Sequence, residues 1–112
     1  MFLVVKRDGE TVEFHLEKIS SAIKKAFKAT GKSYTDDIID LLSIRVTSDF
    51  QKKIRDGRIS VEDIQDSVEK VLEESGYTEV AKAYILYRKQ REKIRNLEKT
   101  TLDYKDVVDN YV

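Results

Sequence analysis

Residues 4–19 read VVKRDGETVEFHLEKI, and this stretch decides how the chain begins to fold. Apolar and polar residues alternate on either side of Asp8-Gly9, a dipeptide that strongly favours a two-residue turn between antiparallel strands. From about residue 16 the spacing of apolar residues changes to that of a helix. The stretch therefore predicts a β-hairpin that leads directly into a helix.

A two-residue turn would also fix the register of the hairpin, because each strand residue then has one defined partner. The face turned towards the core would carry Leu3, Val5, Val12 and Phe14. The opposite face would carry Phe2, Val4, Lys6, Thr11, Glu13 and His15. An isolated hairpin is barely stable in water, so we expect helices to cover its apolar face.

The composition limits what the chain can do. Its 112 residues are enough for one domain with a modest core. Twenty-one basic and twenty-one acidic residues cancel, so any site for an anion has to be local. The absence of cysteine excludes thiolate metal sites, disulfides and cysteine nucleophiles, and the single His15 leaves little for a metal site or a His-based catalytic dyad. The sequence contains neither an apolar run of about 20 residues nor a signal-peptide pattern, so we expect a cytoplasmic location.

Four segments in all have helical periodicity, at about residues 16–30, 35–55, 60–75 and 78–99. Ser60 is expected to cap the third helix, and Gly31 and Gly76 to follow the ends of the first and third. The predicted buried stripe of the second helix is Ile38, Leu41, Leu42, Arg45, Val46, Phe50 and Ile54. That of the fourth is Val80, Ala83, Tyr84, Tyr87, Ile94 and Leu97. The tripeptide RDG recurs at residues 55–57, where we interpret it as a plain turn between two helices.

These elements predict a mostly helical α+β domain in which an N-terminal β-hairpin packs on a bundle of about four helices. The periodicity weakens after residue 99. We therefore assign residues 1–99 to the domain and residues 100–112 to the start of a linker that leads to a further, catalytic domain.

Three cations near the hairpin indicate a candidate anion site. Lys6 and Arg7 precede the turn, and Lys18 lies in the first turn of helix one. A cation at that end of a helix is disfavoured by about 0.3–1 kcal/mol, unless an anion binds the exposed N–H groups. A polyphosphate could be held by these three residues with His15 near its sugar. Solvated surface charges explain the same pattern, and the residues alone leave both interpretations open.

The fourth helix carries a second basic pattern, in which Arg88, Arg91, Arg95 and Lys99 share one stripe. Such a stripe could contact phosphate, but a run of this kind is more often a solvated helix face with pairs such as Arg88–Glu92. The sequence has neither a GxxxxGK[ST] nor a GxGxxG phosphate loop.

The stretch VVKRDGETVEFHLEKISSAIKKAF resembles the opening of an ATP-cone domain, and GRISVEDIQDSVEKVLEESGYTEVAKAYILYRKQR resembles the later helices of that family. The two halves occur in the family's order and spacing over about residues 3–95. The tail from Arg88 to Val112 resembles the segment that joins the cone to the body of anaerobic (class III) ribonucleoside-triphosphate reductases.

The resemblance implies a set of nucleotide-binding residues. Those that match the family's motifs are Val5, Lys6, Arg7, Gly9, Phe14, His15, Lys18 and Ile19. Those that match less closely are Val61, Gln65, Arg88 and Arg91. Some relatives have a polar residue at the position of Val61, which has no hydroxyl to offer a ligand.

The function that the resemblance implies is an allosteric regulatory domain, without turnover of its own, that binds ATP or dATP with Mg²⁺. No catalytic residues and no protein side chains that bind a metal are expected. Its partners would be the adenine nucleotide and the catalytic domain of a reductase, and a homo-oligomer is left open. The alternatives are an ATP-cone of another protein, such as a repressor of reductase genes, or a small helical domain that binds nucleic acid or a protein. Nucleic acid is disfavoured by the zero net charge.

Overall fold

The structure, a computed structural model, describes residues 2–109, and the side chains of residues 2–94. The strands are β1 (Leu3–Val5), β2 (Thr11–Glu13) and β3 (Arg58–Ser60). The α-helices are α1 (Leu16–Thr30), α2 (Asp36–Phe50), α3 (Val61–Glu74) and α4 (Thr78–Asp109), and a 3₁₀ turn spans Gln51–Lys53. The prediction of a mostly helical α+β fold with four helices is confirmed.

Helix α1 has the predicted bounds because its sequence supplies both an apolar stripe and a stop signal. Ile19, Ile23 and Phe27 are buried on the side that faces the other helices. Gly31 follows the last turn with a φ of 69°, and its N–H donates to the carbonyl oxygen of Lys28 at 3.1 Å. Only glycine takes this left-handed conformation without a steric cost, which is why the helix ends there.

Helix α2 is shorter than predicted. It ends at Phe50, and the chain is extended again at Ile54, with φ −70° and ψ 128°. The buried stripe is Ile39, Leu42, Ser43, Val46 and Phe50. The prediction was therefore wrong for Leu41, which is 51% exposed, and for Arg45, which is also exposed.

Helices α3 and α4 begin where the sequence indicated. The Ser60 hydroxyl accepts a hydrogen bond from the N–H of Asp63 at 3.1 Å, as expected for the cap of α3. Gly76 follows α3 with a φ of 88°. On α4, the predicted burial of Ile94 was wrong, since this side chain is 51% exposed. The side chain of Leu97 lies outside the described residues.

The hairpin register differs from the prediction by one residue, because the loop contains three residues instead of two. The N–H of Gly9, with φ 87°, donates to the carbonyl oxygen of Lys6 at 2.9 Å, so Arg7, Asp8 and Gly9 form the loop. A left-handed glycine at the third loop position is typical of three-residue hairpins. The strand pair is therefore Val4 with Val12.

The one-residue shift exchanges the two faces of β1. Val4 is buried, whereas Leu3 and Val5 are only half-buried. Phe2 also packs against the core, where its ring stacks on Phe14 at 4.7 Å and meets Phe50 edge-on at 5.6 Å. The prediction that Phe2 and Val4 lie on the outer face was therefore wrong. By alternation along the strand, Lys6 lies on the same face as Val4.

The second RDG copy is more than a turn between helices. Arg55 and Arg58 exchange two backbone hydrogen bonds of 2.9 Å around Asp56 (φ 53°) and Gly57 (φ 69°). This is the two-residue turn expected for the first copy, and it leads into β3. Strand β3 pairs in parallel with β1, so the hairpin is part of a three-stranded sheet in the order β2-β1-β3.

The helices form two packed pairs, α1 with α4 and α2 with α3, and α3 also packs on α4. The rings of Phe2 and Phe14, which flank the hairpin strands, pack edge-on against Phe50 at the end of α2. Within the described part of the chain, no helix has the length and apolar character needed to cross a membrane.

Candidate functional site

The tip of the hairpin reaches across to two helices through Arg7. The Arg7 Nε lies 3.3 Å from Oε1 of Glu62 on α3, and Nη1 lies 3.6 Å from Oε1 of Glu92 on α4. The Arg7 Nη2 also donates to Oε1 of Gln65 at 3.5 Å. The predicted residues Arg7 and Gln65 are therefore brought together, although they are far apart in the sequence.

The contacts of Arg7 are incomplete. Its Nε is buried, and among the described residues this atom has no hydrogen-bond partner. The 3.3 Å approach of Glu62 satisfies the distance of an ion pair, but the N–H does not point at the oxygen well enough to form a hydrogen bond. A buried donor without an acceptor costs about 1–3 kcal/mol, so an anion placed here would gain from satisfying it.

The start of α1 lacks the side-chain cap that α2 and α3 have. His15 precedes the helix in an extended conformation and its side chain makes no capping hydrogen bond, whereas Thr35 caps α2 through its hydroxyl. The side chains of His15 and Lys18 are exposed at this end. Lys18, the predicted cation, thus lies in the first turn of a helix whose start has no side-chain cap.

A shallow groove of about 380 Å³ runs between α1 and α4. This α1–α4 groove is lined by Glu17, Lys18, Ser21, Ala22, Lys25, Tyr87 and Arg91. The groove contains the predicted residues Lys18 and Arg91. Its lining has three cationic side chains and one carboxylate. The Lys25 Nζ and the Arg91 Cζ lie 5.9 Å and 6.0 Å from the centroid of the Tyr87 ring.

Lys25 and Tyr87 were not among the predicted site residues. Lys25 follows Lys18 by seven positions, which places both on one face of α1. That spacing was a usable signal in the sequence. Tyr87 was assigned to the buried stripe of α4, and its half-burial in the groove is visible only in the folded chain.

Several other predicted site residues lie in packed or ion-paired positions. Ile19 is 6% exposed, and Phe14 lies in the aromatic cluster with Phe2 and Phe50. Val5 and Val61 are half-buried. The Lys6 Nζ lies 3.9 Å from Glu10 Oε2, within the hairpin itself.

Arg88 is tied to α3. Its Nη1 lies 2.8 Å from Oδ1 of Asp66 and 3.0 Å from Oε1 of Glu69. Burial disfavours the charged form, but the two hydrogen bonds outweigh it, so the pKa of Arg88 lies above its usual value. The predicted stripe thus contains one residue that joins two helices, and the side chains of Arg95 and Lys99 lie outside the described residues.

A separate polar cluster joins α2 to α3. The buried Ser67 hydroxyl donates to Oδ2 of Asp49 at 2.7 Å, and Lys70 Nζ lies 3.1 Å from Oδ1. Burial raises the pKa of Asp49, but the two hydrogen bonds and the charge of Lys70 together have the larger, opposite effect. The pKa of Asp49 therefore lies below its usual value. No group of three or more His, Asp or Glu side chains within the described residues could hold a metal ion.

The comparisons with known proteins agree on one family. The profile of the ATP cone domain matches residues 2–93. Ribonucleoside-diphosphate reductase subunit alpha of Chlamydia pneumoniae is 40% identical over 98 residues, which is 82% of this chain and 9% of the relative. The vitamin B12-dependent ribonucleoside-diphosphate reductase of Thermoplasma acidophilum is 44% identical over 108 residues, 92% of this chain and 13% of the relative.

A third kind of reductase is also similar. The anaerobic ribonucleoside-triphosphate reductase of Haemophilus influenzae is 39% identical over 97 residues, 84% of this chain and 13% of the relative. In all three comparisons the match covers between 9% and 13% of the relative's length.

Proposed function

Because the chain belongs to the ATP cone domain family, we propose that it is an allosteric domain that binds ATP or dATP and regulates a ribonucleotide reductase. The similarity to reductases of three kinds supports a reductase as the parent protein. The chain itself would bind the regulator, and turnover would take place in the catalytic domain of the parent. That domain and the nucleotide would be its partners, in the cytoplasm.

The observation that carries this proposal is the concentration of cations in the α1–α4 groove of a chain with no net charge. None of Lys18, Lys25 and Arg91 has an acidic partner within 4 Å among the described side chains (the ion pairs found there involve other cations). Of these cations, Lys18 lies at the uncapped start of α1, where a polyphosphate gains from both the positive charge and the exposed N–H groups.

We place the triphosphate at the start of α1, between Lys18 and the hairpin residues Lys6 and Arg7. His15 would lie near the sugar, and Tyr87 would form one wall of the groove. The orphaned Nε of Arg7 would donate to a phosphate oxygen. Mg²⁺ would arrive with the nucleotide, bound by its phosphates.

The anaerobic class remains a narrower proposal. It rests on the resemblance of residues 88–112 to the segment that follows the cone in that class, and residues 100–112 would then begin the linker. The gene sequence downstream of the codon for Val112 tests it, since a class III enzyme needs a glycyl-radical motif. The nucleic-acid alternative is weakened because Arg88 is already held by Asp66 and Glu69.

A thermal-shift titration tests nucleotide binding. Ligand at about 100 times its Kd adds about 2.7 kcal/mol to the free energy of unfolding. For a domain of this size that raises the Tm by roughly 10 °C. We expect ATP and dATP with Mg²⁺ to produce this shift. An unchanged Tm with both nucleotides at millimolar concentration would contradict the proposal.

A further inference from the structure

Arg7, a predicted phosphate ligand, is already engaged by two carboxylates. Glu62 belongs to α3 and Glu92 to α4, so one guanidinium connects three elements: the hairpin and two helices. We propose that Arg7, Glu62 and Glu92 form a latch, here named the Arg7 latch, which a nucleotide phosphate must open in order to bind. This inference deepens the proposed function and rests on it.

The contacts of Arg7 in the latch are long and poorly aligned, so a better acceptor could replace them. Neither ion pair is closer than 3.3 Å, the bond to Gln65 is at the 3.5 Å limit, and the buried Nε has no acceptor. Phosphate oxygens accept shorter and better-aligned hydrogen bonds from a guanidinium than these. Arg7 would therefore exchange these three imperfect contacts for a phosphate that accepts a bidentate pair of hydrogen bonds, one of them from the unsatisfied Nε.

Arg88 provides an internal comparison for Arg7. It lies one turn before Glu92 on the same helix and joins the same two helices, but its bonds to Asp66 and Glu69 measure 2.8 Å and 3.0 Å. Both arginines are similarly shielded, with 21% and 18% of their side chains exposed. The short bonds of Arg88 keep α3 and α4 together. The longer contacts of Arg7 can therefore be released without separating the two helices.

The charges around Arg7 also oppose a phosphate while the latch is closed. Two guanidiniums along the contact between α3 and α4 face four carboxylates, which are Glu62, Asp66, Glu69 and Glu92. While the latch is closed, the carboxylates that hold Arg7 repel an incoming triphosphate. The latch therefore lowers the affinity of the closed state, and Mg²⁺ on the nucleotide would reduce this repulsion.

Opening the latch would transmit binding to the rest of the protein. Once a phosphate takes Arg7, Glu62 and Glu92 lose their shared cation, and α3 and α4 lose one of their connections. Helix α4 continues beyond this point to Asp109. Because coupling is reciprocal, any event that moves this part of α4 would in turn change the affinity for the nucleotide.

The Glu62→Gln/Glu92→Gln variant of the 112-residue chain tests the latch. Each exposed ion pair of this kind changes an equilibrium by up to about fivefold, so we expect the variant to bind ATP, dATP and inorganic triphosphate about 5- to 25-fold more tightly. The control is Glu73→Gln/Glu79→Gln, which makes the same charge change on exposed positions of α3 and α4. Its affinity should stay within about twofold of wild type. Isothermal titration calorimetry measures all three proteins.

A second measurement follows Arg7 itself. The Nε–H signal of Arg7 in ¹⁵N-edited NMR spectra, assigned by its loss in Arg7→Lys, should move when ATP is added to wild type. In the nucleotide-free Glu62→Gln/Glu92→Gln variant it should exchange faster with water than in wild type.

The outcomes separate the two proposals. If wild type binds ATP but the latch variant binds no more tightly, or if the control gains equally, the latch is wrong and the proposed function stands. If neither wild type nor the variants bind ATP, dATP or triphosphate, the proposed function fails, and the latch fails with it.

Discussion

Replacing Lys18 by alanine should have opposite effects on the free and the nucleotide-bound protein. The lysine is exposed in the first turn of α1, where the helix dipole disfavours a cation and no side chain caps the helix. Its removal should therefore raise the free energy of unfolding of the nucleotide-free chain by about 0.3–1 kcal/mol. For 112 residues this corresponds to a rise in Tm of roughly 1–4 °C. The increase of roughly 10 °C that saturating ATP gives the wild type should be largely lost.

Lys28→Ala is the matched control, because it removes the same side chain from the other end of the same helix. Lys28 is exposed in the last turn of α1, where a cation is favoured. The control should lose about 0.3–1 kcal/mol without nucleotide and keep the full ATP shift. Differential scanning fluorimetry at low salt resolves both effects. A Lys18→Ala variant that loses stability without nucleotide, or that keeps the whole ATP shift, would refute the assignment of Lys18 to an anion site.

Two further predictions concern the polar contacts between helices. Arg88→Met should lower the free energy of unfolding by about 2 kcal/mol, because it leaves the partly buried Glu69 without a cation. This magnitude lies between the values for exposed and for buried ion pairs. Urea unfolding measures the loss, and a value below about 0.5 kcal/mol would contradict the prediction. Ser67→Ala should cost about 1.5–3 kcal/mol at pH 7 because it removes a hydrogen bond to a carboxylate. The pKa of Asp49 is lowered in the folded state from 3.8, so this difference should be present above pH 3.8 and shrink as the pH falls below it. A difference that persists unchanged at pH 2 would show that Ser67 acts through packing alone.

Local signals in the sequence were sufficient for α1 and for the cap of α3. An apolar stripe followed by Gly31, and a serine three residues before Asp63, each act within a few residues of the chain. The register of the hairpin was missed because Asp-Gly is compatible with both a two-residue and a three-residue loop. The choice depends on Gly9 alone taking the left-handed conformation, whereas in the second copy Asp56 also takes it.

The strand β3 was missed for a different reason. Three residues are too short to show alternation, and Ser60 at its end also caps α3. What makes the segment a strand is its pairing with β1, more than fifty residues earlier in the chain. Such a partner has no signature in the local sequence.

The candidate site was predictable in its cations but not in their partners. Lys18 and Arg7 stood out because of their positions in a helix start and a hairpin. The contacts of Arg7 with Glu62 and Glu92 join residues 55 and 85 positions apart in the sequence. They depend on the pairing of β1 with β3 and on the packing of α3 against α4. The same packing gives Arg88 two carboxylate partners on α3, which its place in the basic stripe of α4 did not indicate.

The proposed regulation by ATP and dATP sets a limit on what one copy of this domain could do. The two ligands differ by a single hydroxyl, and one hydrogen bond contributes about 0.5–1.5 kcal/mol, which is about tenfold in affinity at most. Moving a two-state equilibrium from 1:99 to 99:1 needs about 5.5 kcal/mol of differential binding. We therefore expect calorimetry on the isolated chain to give Kd values for ATP and dATP within about tenfold of each other. A larger ratio would mean that the pocket alone discriminates. If the ratio stays within about tenfold, one domain cannot switch a two-state equilibrium by itself. A nearly complete switch would then require several coupled domains, or contacts of a catalytic domain that differ between the ATP-bound and dATP-bound states.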